Sequence, residues 1–197
     1  MQAFAGRCLE VLRLPTEDAQ LVARCLVEAD LRGQSGHGIQ RLPMYADRLR
    51  AKLVNPQPKI RVDRTSPCDA PSGPRSSCRV HGDDGMGFVV ATRATEEAIR
   101  IAEEQGLGLA GVHRSTHFGC SSRYVMQALE ADMLSLVFTN SSPALPPFGG
   151  AKALLGASPF AAGAPANQAH PLVLDMCALG SWDWDSAEAT MNAQQRP

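Results

Sequence analysis

A histidine, an arginine and a tyrosine lie close together in the stretch SGHGIQRLPMY, residues 35 to 45. His37 stands between two glycines, so the backbone beside it can approach a ligand closely. An imidazole exchanges protons near neutral pH, and the guanidinium of Arg41 could bind a carboxylate with two hydrogen bonds. Arg41 and Tyr45 would share one face of a helix that begins near residue 40. This spacing fits a loop that handles a small anionic substrate; the alternative is a solvated junction between two helices.

A second histidine, His117, stands in the sequence THFGC, just after the apolar run LGLAGV and a polar turn. Loops at the ends of strands often carry functional residues in α/β proteins. His117 is therefore a second candidate acid or base. The alternative is a histidine packed beneath a loop by its neighbour Phe118.

The elements that must position these residues follow from the periodicity of the sequence. Residues 16–33 have apolar side chains at helical spacing, with Thr16 as a candidate N-cap, two acidic residues in the first turn and a glycine at the end. Residues 34–40 read as a glycine-punctuated loop, and a second helix follows with Pro43 in its first turn. The sequence thus places His37 between two helices.

Further along the chain, short strands mix with helices. The segment CRVHGDDGMGF predicts a short strand and a tight turn, and ATRATEEAIRIAEEQG predicts a helix that stops at Gly106. LGLAGV, MLSLVFTN and HPLVLDM predict strands, and HFGCSSRYVMQALEAD predicts a loop followed by a helix. Residues 65–77 are rich in proline and serine and predict a surface loop or a disordered insert. Because no strict β-α-β alternation is present, we expect an α/β or α+β fold.

The common phosphate-binding and nucleophile motifs are missing from the sequence. No G-x-G-x-x-G follows a strand and opens a helix; GDDGMG, residues 82–87, resembles it only in its glycines, because we predict no helix at the third one. G-x-x-x-x-G-K-[ST] and G-x-S-x-G are absent as well. The histidine and cysteines that a zinc site would recruit match no common zinc spacing, so we predict no metal site. These residues are Cys68, Cys78, His81 and Cys120.

The composition limits the classes of partner. The net charge of the 197 residues is −1, which gives no basic excess for nucleic acid or an acidic membrane face. The N-terminal stretch lacks a long apolar run, so we predict neither a signal peptide nor a membrane span. Six scattered cysteines without a CxxC motif favour free thiols and a cytoplasmic location.

Five blocks of sequence, taken in order, resemble one enzyme family. They are ADLRGQSGHGIQRLPMYADRL, GDDGMGFVVA, STHFGCSSRYVMQALEADMLSLVFTNSSPALPPFGG, LLGASPFAAGAP and PLVLDM, and they cover most of residues 16 to 177. On these blocks the chain is identified as a member of the malate/L-lactate dehydrogenase family of the second type. Its relatives include ureidoglycolate dehydrogenase, diketogulonate reductase, sulfolactate dehydrogenase and piperidine-2-carboxylate reductase.

This resemblance implies a fold and a reaction. Members transfer a hydride between NAD or NADP and a 2-oxo or 2-hydroxy acid, or a cyclic imine. The implied cofactor domain is non-Rossmann, a mainly antiparallel mixed sheet flanked by helices beside an N-terminal helical part, which fits the missing fingerprint. The implied partners are a small carboxylate substrate and a second copy of the chain in a homodimer, with no nucleic acid and no membrane.

The same resemblance assigns roles to individual residues. His37 is implied as the proton donor to the carbonyl oxygen, and His117 is the other candidate acid or base. Arg41 would hold the substrate carboxylate, and Tyr45 would line the same pocket. This agrees with the needs of hydride transfer to a carbonyl, namely a proton for the nascent alkoxide, a clamp for orientation and a cofactor face. The residues implied to lie along the cofactor are Thr139, Asn140, Ser141, Asp175 and Met176.

Three features depart from the family pattern. The family usually has serine at the position of Gly36, residues 65–78 do not resemble it, and the likeness stops near Cys177. We therefore expect a C-terminally truncated or fragmentary product, and the alternative function is a catalytically inactive remnant that acts at most as a protein-interaction module. The expected regions are a helical substrate-loop region over 1–64, an atypical loop or insert over 65–78, a partial NAD(P)-binding domain over 79–177 and a divergent tail over 178–197.

Overall fold

The computed structural model of the chain describes residues 1–64, 76–167 and 170–177. Two short 3-10 turns, Ser35–His37 and Ile39–Arg41, precede the third helix. Helices and strands mix along the chain, so the predicted α/β class is confirmed. The elements are α1 Gln2–Val11, α2 Thr16–Leu31, α3 Leu42–Arg50, β1 Arg61–Asp63, β2 Ser77–Gly85, α4 Gly87–Gln105, β3 Leu109–Ser115, α5 Ser122–Leu129, β4 Ser135–Phe138, β5 Pro159–Ala164 and β6 Leu172–Cys177.

Within the described residues the strands form two three-stranded sheets. The first has the order β1-β2-β3, with β1 antiparallel and β3 parallel to the central strand. Helix α4 supplies the crossover that a parallel pair requires, so β2, α4 and β3 make one β-α-β unit. The second sheet has the order β4-β5-β6, and both of its pairings are antiparallel.

Helix α4 begins earlier than predicted. It starts at Gly87, the third glycine of GDDGMG, so the prediction that no helix begins there is wrong. The apolar residues that follow favour a strand by their type, but Val90 is fully buried against Val80 of β2, and this packing outweighs the local preference. The helix ends as predicted at Gly106, whose φ of 79° lies in the left-handed region.

Helices α1, α2 and α3 share an apolar core with the start of α4. Leu9, Leu26, Tyr45 and Phe88 are almost completely buried in it. The periodicity correctly predicts α2, although Pro15 rather than Thr16 occupies its N-cap. Helix α1 was not predicted from the sequence and is found only in the structure. This core matters for function because it fixes the helix that carries Tyr45.

Strand β5 also escapes sequence prediction, because its alanines and glycine have little intrinsic preference for a strand. Its pairing with β4 and β6 and the packing of α5 establish it. A Cβ atom at Gly163 would overlap Val125 of α5, so glycine lets the helix lie directly on the sheet.

Two segments with predictions of their own lie wholly or partly outside the described residues. Residues 65–75 of the predicted insert lie outside them, whereas Ser77 begins β2; the tail over 178–197 also lies outside them.

None of the helices in the described residues is long and apolar enough to cross a membrane. The thiols of the described part are unpaired, and they belong to Cys8, Cys25, Cys78, Cys120 and Cys177. Cys68, one of the four residues considered for a zinc site, lies outside the described residues. Within the described ranges no group of three or more histidine, cysteine or acidic side chains could hold a metal ion.

Candidate active site

A carboxylate of helix α2 holds the loop that carries His37. The carboxylate of Asp30, near the end of α2, accepts a 3.0 Å hydrogen bond from the backbone N–H of Ile39. Gly38 lies so close to this carboxylate that a Cβ atom there would overlap it. Asp30 is a site residue that sequence reasoning misses, because an acidic residue at a helix end has many ordinary uses.

Arg41 connects this loop to α3. Its Nε donates a 2.6 Å hydrogen bond to the carbonyl oxygen of Gly36, which draws the side chain back across the turn that contains His37. Its charge also acts on both His37 and His117, since it lowers the pKa of each imidazole. The guanidinium therefore provides a positive field at the two histidines.

His117 is brought to the same place from the end of β3. Its Nδ1 lies 2.7 Å from the hydroxyl of Tyr45 on α3. Its ring is nearly parallel to the ring of His37, with an interplanar angle of 14° and a distance of 5.8 Å between the centroids. The structure thus gathers His37, Tyr45 and His117, which the sequence separates into two distant segments.

The hydrogen bonds of His117 define which of its nitrogens carries a proton. Burial raises the pKa of Tyr45 well above its usual value, so its hydroxyl stays protonated and able to donate. The backbone N–H of Gly119, which can only donate, lies 3.3 Å from the same Nδ1. Nδ1 therefore acts as the acceptor, and the neutral ring carries its proton on Nε2.

The pKa of both imidazoles is lowered, which favours their neutral forms. Burial is the main cause for His117, and repulsion from the protonated form of His37 and from Arg41 and Arg48 adds to it, so that its pKa falls to about 4. Burial and Arg41 also lower the pKa of His37, but the carboxylate of Asp175 opposes them. His37 therefore has an acidic neighbour that stabilises its protonated form.

Asp175 and Met176 occupy opposite faces of strand β6, as the alternation of side chains along a strand requires. The Asp175 carboxylate accepts a 2.8 Å hydrogen bond from the backbone N–H of Ser122, the first residue of α5. Met176 lies on the uncovered face and is 47 % exposed. Asp175 and Met176 therefore face different surfaces, although the resemblance implies that both lie along the cofactor.

The other residues expected along the cofactor follow β4 at one end of the second sheet. The backbone N–H of Thr139 donates to the carbonyl of Pro159 at 3.3 Å, and its hydroxyl donates to the carbonyl of Asn140 at 3.0 Å. The hydroxyl of Ser141 accepts from the backbone N–H of Ala157 at 2.7 Å. None of these described contacts joins residues 139–141 to the histidines.

The family model of malate/L-lactate dehydrogenase matches residues 1–180 of the 197. The chain belongs to this family. The resemblance seen in the five sequence blocks is thereby confirmed, and the loop with His37 and the loop with His117 both lie within the matched range.

The curated proteins that the chain resembles include two dehydrogenases. Malate dehydrogenase of Pyrococcus horikoshii is 40% identical over 174 residues, which are 88% of this chain and 46% of that protein. Ureidoglycolate dehydrogenase (NAD(+)) of Escherichia coli K12 is 36% identical over 163 residues, 83% of this chain and 44% of that protein. The chain thus spans about half the length of the curated relatives it matches.

Solved structures of the family share the fold of this chain. The structure of the Pyrococcus horikoshii malate dehydrogenase has a TM-score of 0.81 at 40% identity, over 89% of this chain and 48% of that one. Sulfolactate dehydrogenase from Methanocaldococcus jannaschii has a TM-score of 0.85 at 32% identity, over 100% of this chain and 54% of that one. The described helices and sheets therefore have the arrangement of the corresponding part of these larger enzymes.

Proposed function

We propose that this family member takes part in hydride transfer between NAD or NADP and a small 2-oxo or 2-hydroxy acid of the malate or lactate type, or a cyclic imino acid. The observation that carries this proposal is the stacking of His37 and His117 beside Arg41, where burial and the arginine charge lower the pKa of both imidazoles. A carbonyl that gains a hydride needs a proton and an oriented carboxylate, and these three side chains offer both.

Arg41 supports the carboxylate part of the proposal. Its charge lowers the pKa of both histidines, and the same charge would attract the carboxylate of a substrate bound beside them. A bound carboxylate would also raise the pKa of the imidazoles, because it favours their protonated forms. Substrate binding would therefore prepare the site for proton transfer.

The two histidines have different roles in this proposal. The Nδ1 of His117 accepts hydrogen bonds from Tyr45 and Gly119, so the ring presents an N–H at Nε2 that can polarise the substrate oxygen. The carboxylate of Asp175 partly offsets the causes that lower the pKa of His37, so we assign His37 as the acid that gives a proton to the nascent alkoxide and the base that removes it in the reverse direction. Tyr45 lines the pocket and keeps His117 in the tautomer that this role needs.

Residues 139–141 fit the hydroxyl and phosphate groups of a dinucleotide. They offer two hydroxyls and an amide at one end of a sheet, and Asn140 and Ser141 are exposed. When bound, the nicotinamide group would supply or accept the hydride. Met176 offers an apolar surface on the uncovered face of the same sheet, whereas Asp175 is directed to Ser122 and exerts its charge on His37. We therefore assign Thr139, Asn140, Ser141 and Met176 to the cofactor side and Asp175 to the substrate side.

The remaining expectations concern architecture and assembly. We propose that the cofactor part over 79–177 is a non-Rossmann, mainly antiparallel domain beside the helical substrate-loop region over 1–64. Three of the four strand pairings in the described residues are antiparallel, which supports this architecture. We further propose a homodimer in the cytoplasm, where unpaired thiols persist.

A protein-interaction module without activity is the second candidate function. It is supported by an apolar surface on the uncovered face of the second sheet, where Leu136, Phe138, Leu174 and Met176 are between 42% and 69% exposed. Contiguous apolar surface of this kind is typical of a contact with another protein segment.

Titration of the purified chain with NADH and with NADPH, followed by nicotinamide fluorescence, separates the two candidates. Saturable binding and oxidation of the reduced cofactor by 2-oxo acids would support the oxidoreductase. His37→Ala should then lower turnover about a hundred- to ten-thousand-fold while changing substrate affinity much less. A folded chain that binds neither cofactor would overturn the proposal and favour the interaction module.

A further inference from the structure

The glycine-rich turn GDDGMG, residues 82–87, consists of the last residues of β2, Met86 and the first residue of α4, and it has no role in the function proposed above. In phosphate-binding loops the first backbone N–H groups of the helix face an anion. Here the N–H of Gly87, the first residue of α4, already donates a 3.0 Å hydrogen bond to the hydroxyl of Thr116. The same hydroxyl donates to the carbonyl oxygen of Gly85 at 2.9 Å. One side chain therefore satisfies both sides of the turn.

The glycines of this turn allow the backbone that precedes and includes His117 to lie directly against it. A Cβ atom at Gly87 would overlap the carbonyl oxygens of Thr116 and His117. A Cβ atom at Gly82 would come within 2.6 Å of the carbonyl oxygen of Arg114. The glycines thus lie against the protein backbone from Arg114 to His117, and this contact leaves no room there for a phosphate.

The turn is also held in an unusual backbone conformation. Asp83, Asp84 and Arg114 have φ values of 52°, 54° and 54°, in the left-handed region that residues with a Cβ atom seldom adopt. The Asp83 carboxylate accepts 3.0 Å hydrogen bonds from the backbone N–H of Lys59 and the side-chain amide of Asn55. Asp84 and Arg114 form an ion pair across the two strands. These contacts hold both strand ends against each other beside His117.

We propose that Thr116 is a positioning residue for His117, and that the 82–87 turn is a clamp for the loop of that histidine rather than a phosphate-binding turn. The catalytic meaning of this assignment rests on the role proposed for His117. The positioning of the His117 ring does not depend on that role, because the ring must in any case reach Tyr45 on a different part of the fold. The core fixes Tyr45 from one side, and the clamp fixes His117 from the other.

The test is an NMR titration of the His117 imidazole in the whole chain, with Thr116→Val and Thr116→Ser. Valine keeps the shape of threonine but removes the hydroxyl that bonds to Gly85 and Gly87, whereas serine keeps the hydroxyl. In the parent protein the pKa of His117 is about 4. In T116V the loosened loop admits water to the ring, so we expect the pKa to rise toward the ordinary value of 6.5. T116S should restore the parent titration.

Thr92→Val is the matched control. Thr92 is buried in α4, and its hydroxyl has no hydrogen-bond partner among the residues that the structure describes. The same change of side chain therefore removes no hydrogen bond to the described residues, and the His117 titration should stay at the parent value. A rise in T92V as large as the rise in T116V would overturn the proposal, because it would show a general response of α4.

Two further outcomes decide against the clamp. An unchanged His117 titration in folded T116V would show that the hydroxyl does not position the ring. If T116V fails to fold, Thr116→Ala is titrated in its place, because it removes the same two hydrogen bonds without the branched side chain. If neither variant folds, Thr116 has a general structural role and the proposal is overturned. Since the titration needs no cofactor, a lack of hydride transfer would contradict the proposed function while leaving this result intact.

Discussion

The hydroxyl of Tyr45 lies 2.7 Å from Nδ1 of His117, although 72 positions separate the two residues in the chain. Tyr45 is only 1% exposed and packs edge-on against Phe88, with 5.4 Å between the ring centroids. The tyrosine is thus a rigid donor, and the histidine depends on it for its tautomer and for part of its orientation.

Replacement of this donor should change the acid–base behaviour of its partner. Tyr45→Phe keeps the packing against Phe88 but removes the hydrogen bond to Nδ1, which favours the neutral ring. We expect the pKa of His117 to rise from about 4, and turnover to fall in any assay of hydride transfer. NMR titration of the imidazole measures the first effect. If the titration of His117 does not change, the hydroxyl is not the donor to Nδ1.

Arg41 should matter chiefly for anionic substrates. Arg41→Ala removes the positive charge beside the two histidines, so we expect the apparent KM for 2-oxo acids to rise much more than the KM for an uncharged ketone of similar size. Arg50→Ala is the matched control, because Arg50 lies on the exposed end of α3 and, within the described residues, forms an ion pair with the exposed Asp47. Equal effects of R41A on charged and uncharged substrates would contradict the proposed role.

Acid should destabilise the fold through the buried histidines. The pKa of His117 is about 4 in the folded protein and 6.5 in its ordinary state, so the unfolded chain binds the proton first as the pH falls. The stabilisation is complete above pH 6.5 and is lost as the pH falls toward 4. It amounts to roughly 3 kcal/mol for a difference of this size.

Denaturant unfolding at several pH values measures this loss. His117→Gln should flatten the slope of unfolding free energy between pH 6.5 and 4, whereas His170→Gln, at an exposed position, should leave it unchanged. A slope that survives in H117Q would assign the acid sensitivity to other groups.

Two glycines of the His37 loop offer a matched pair for stability. Gly38→Ala would drive a methyl group into the carboxylate of Asp30, and we expect it to destabilise the fold by about 1–3 kcal/mol. Gly36→Ala meets nothing within 4 Å, so its effect should stay within about 0.5 kcal/mol. Denaturant unfolding of both variants measures the difference, and equal losses would show that Asp30 does not restrict the loop.

The sequence by itself determined the local features of this protein. The spacing of apolar residues predicts α2, a glycine predicts the end of α4, and Pro43 lies in the first turn of α3 as expected. His37, Arg41 and Tyr45 lie within one short segment, so the sequence alone indicates that they could act together. The ordered blocks of sequence were sufficient to indicate the family.

Only the tertiary structure decided which distant groups meet. Nothing local to Tyr45 predicts a hydrogen bond to His117, because the contact depends on how α3 packs against α4 and on how β3 ends. The start of α4 at Gly87 and the strand at β5 also escape local rules, since packing against β2 and α5 outweighs weak intrinsic preferences. Propensity and periodicity act over a few residues, whereas the site is assembled by burial and hydrogen bonding between segments far apart in the chain.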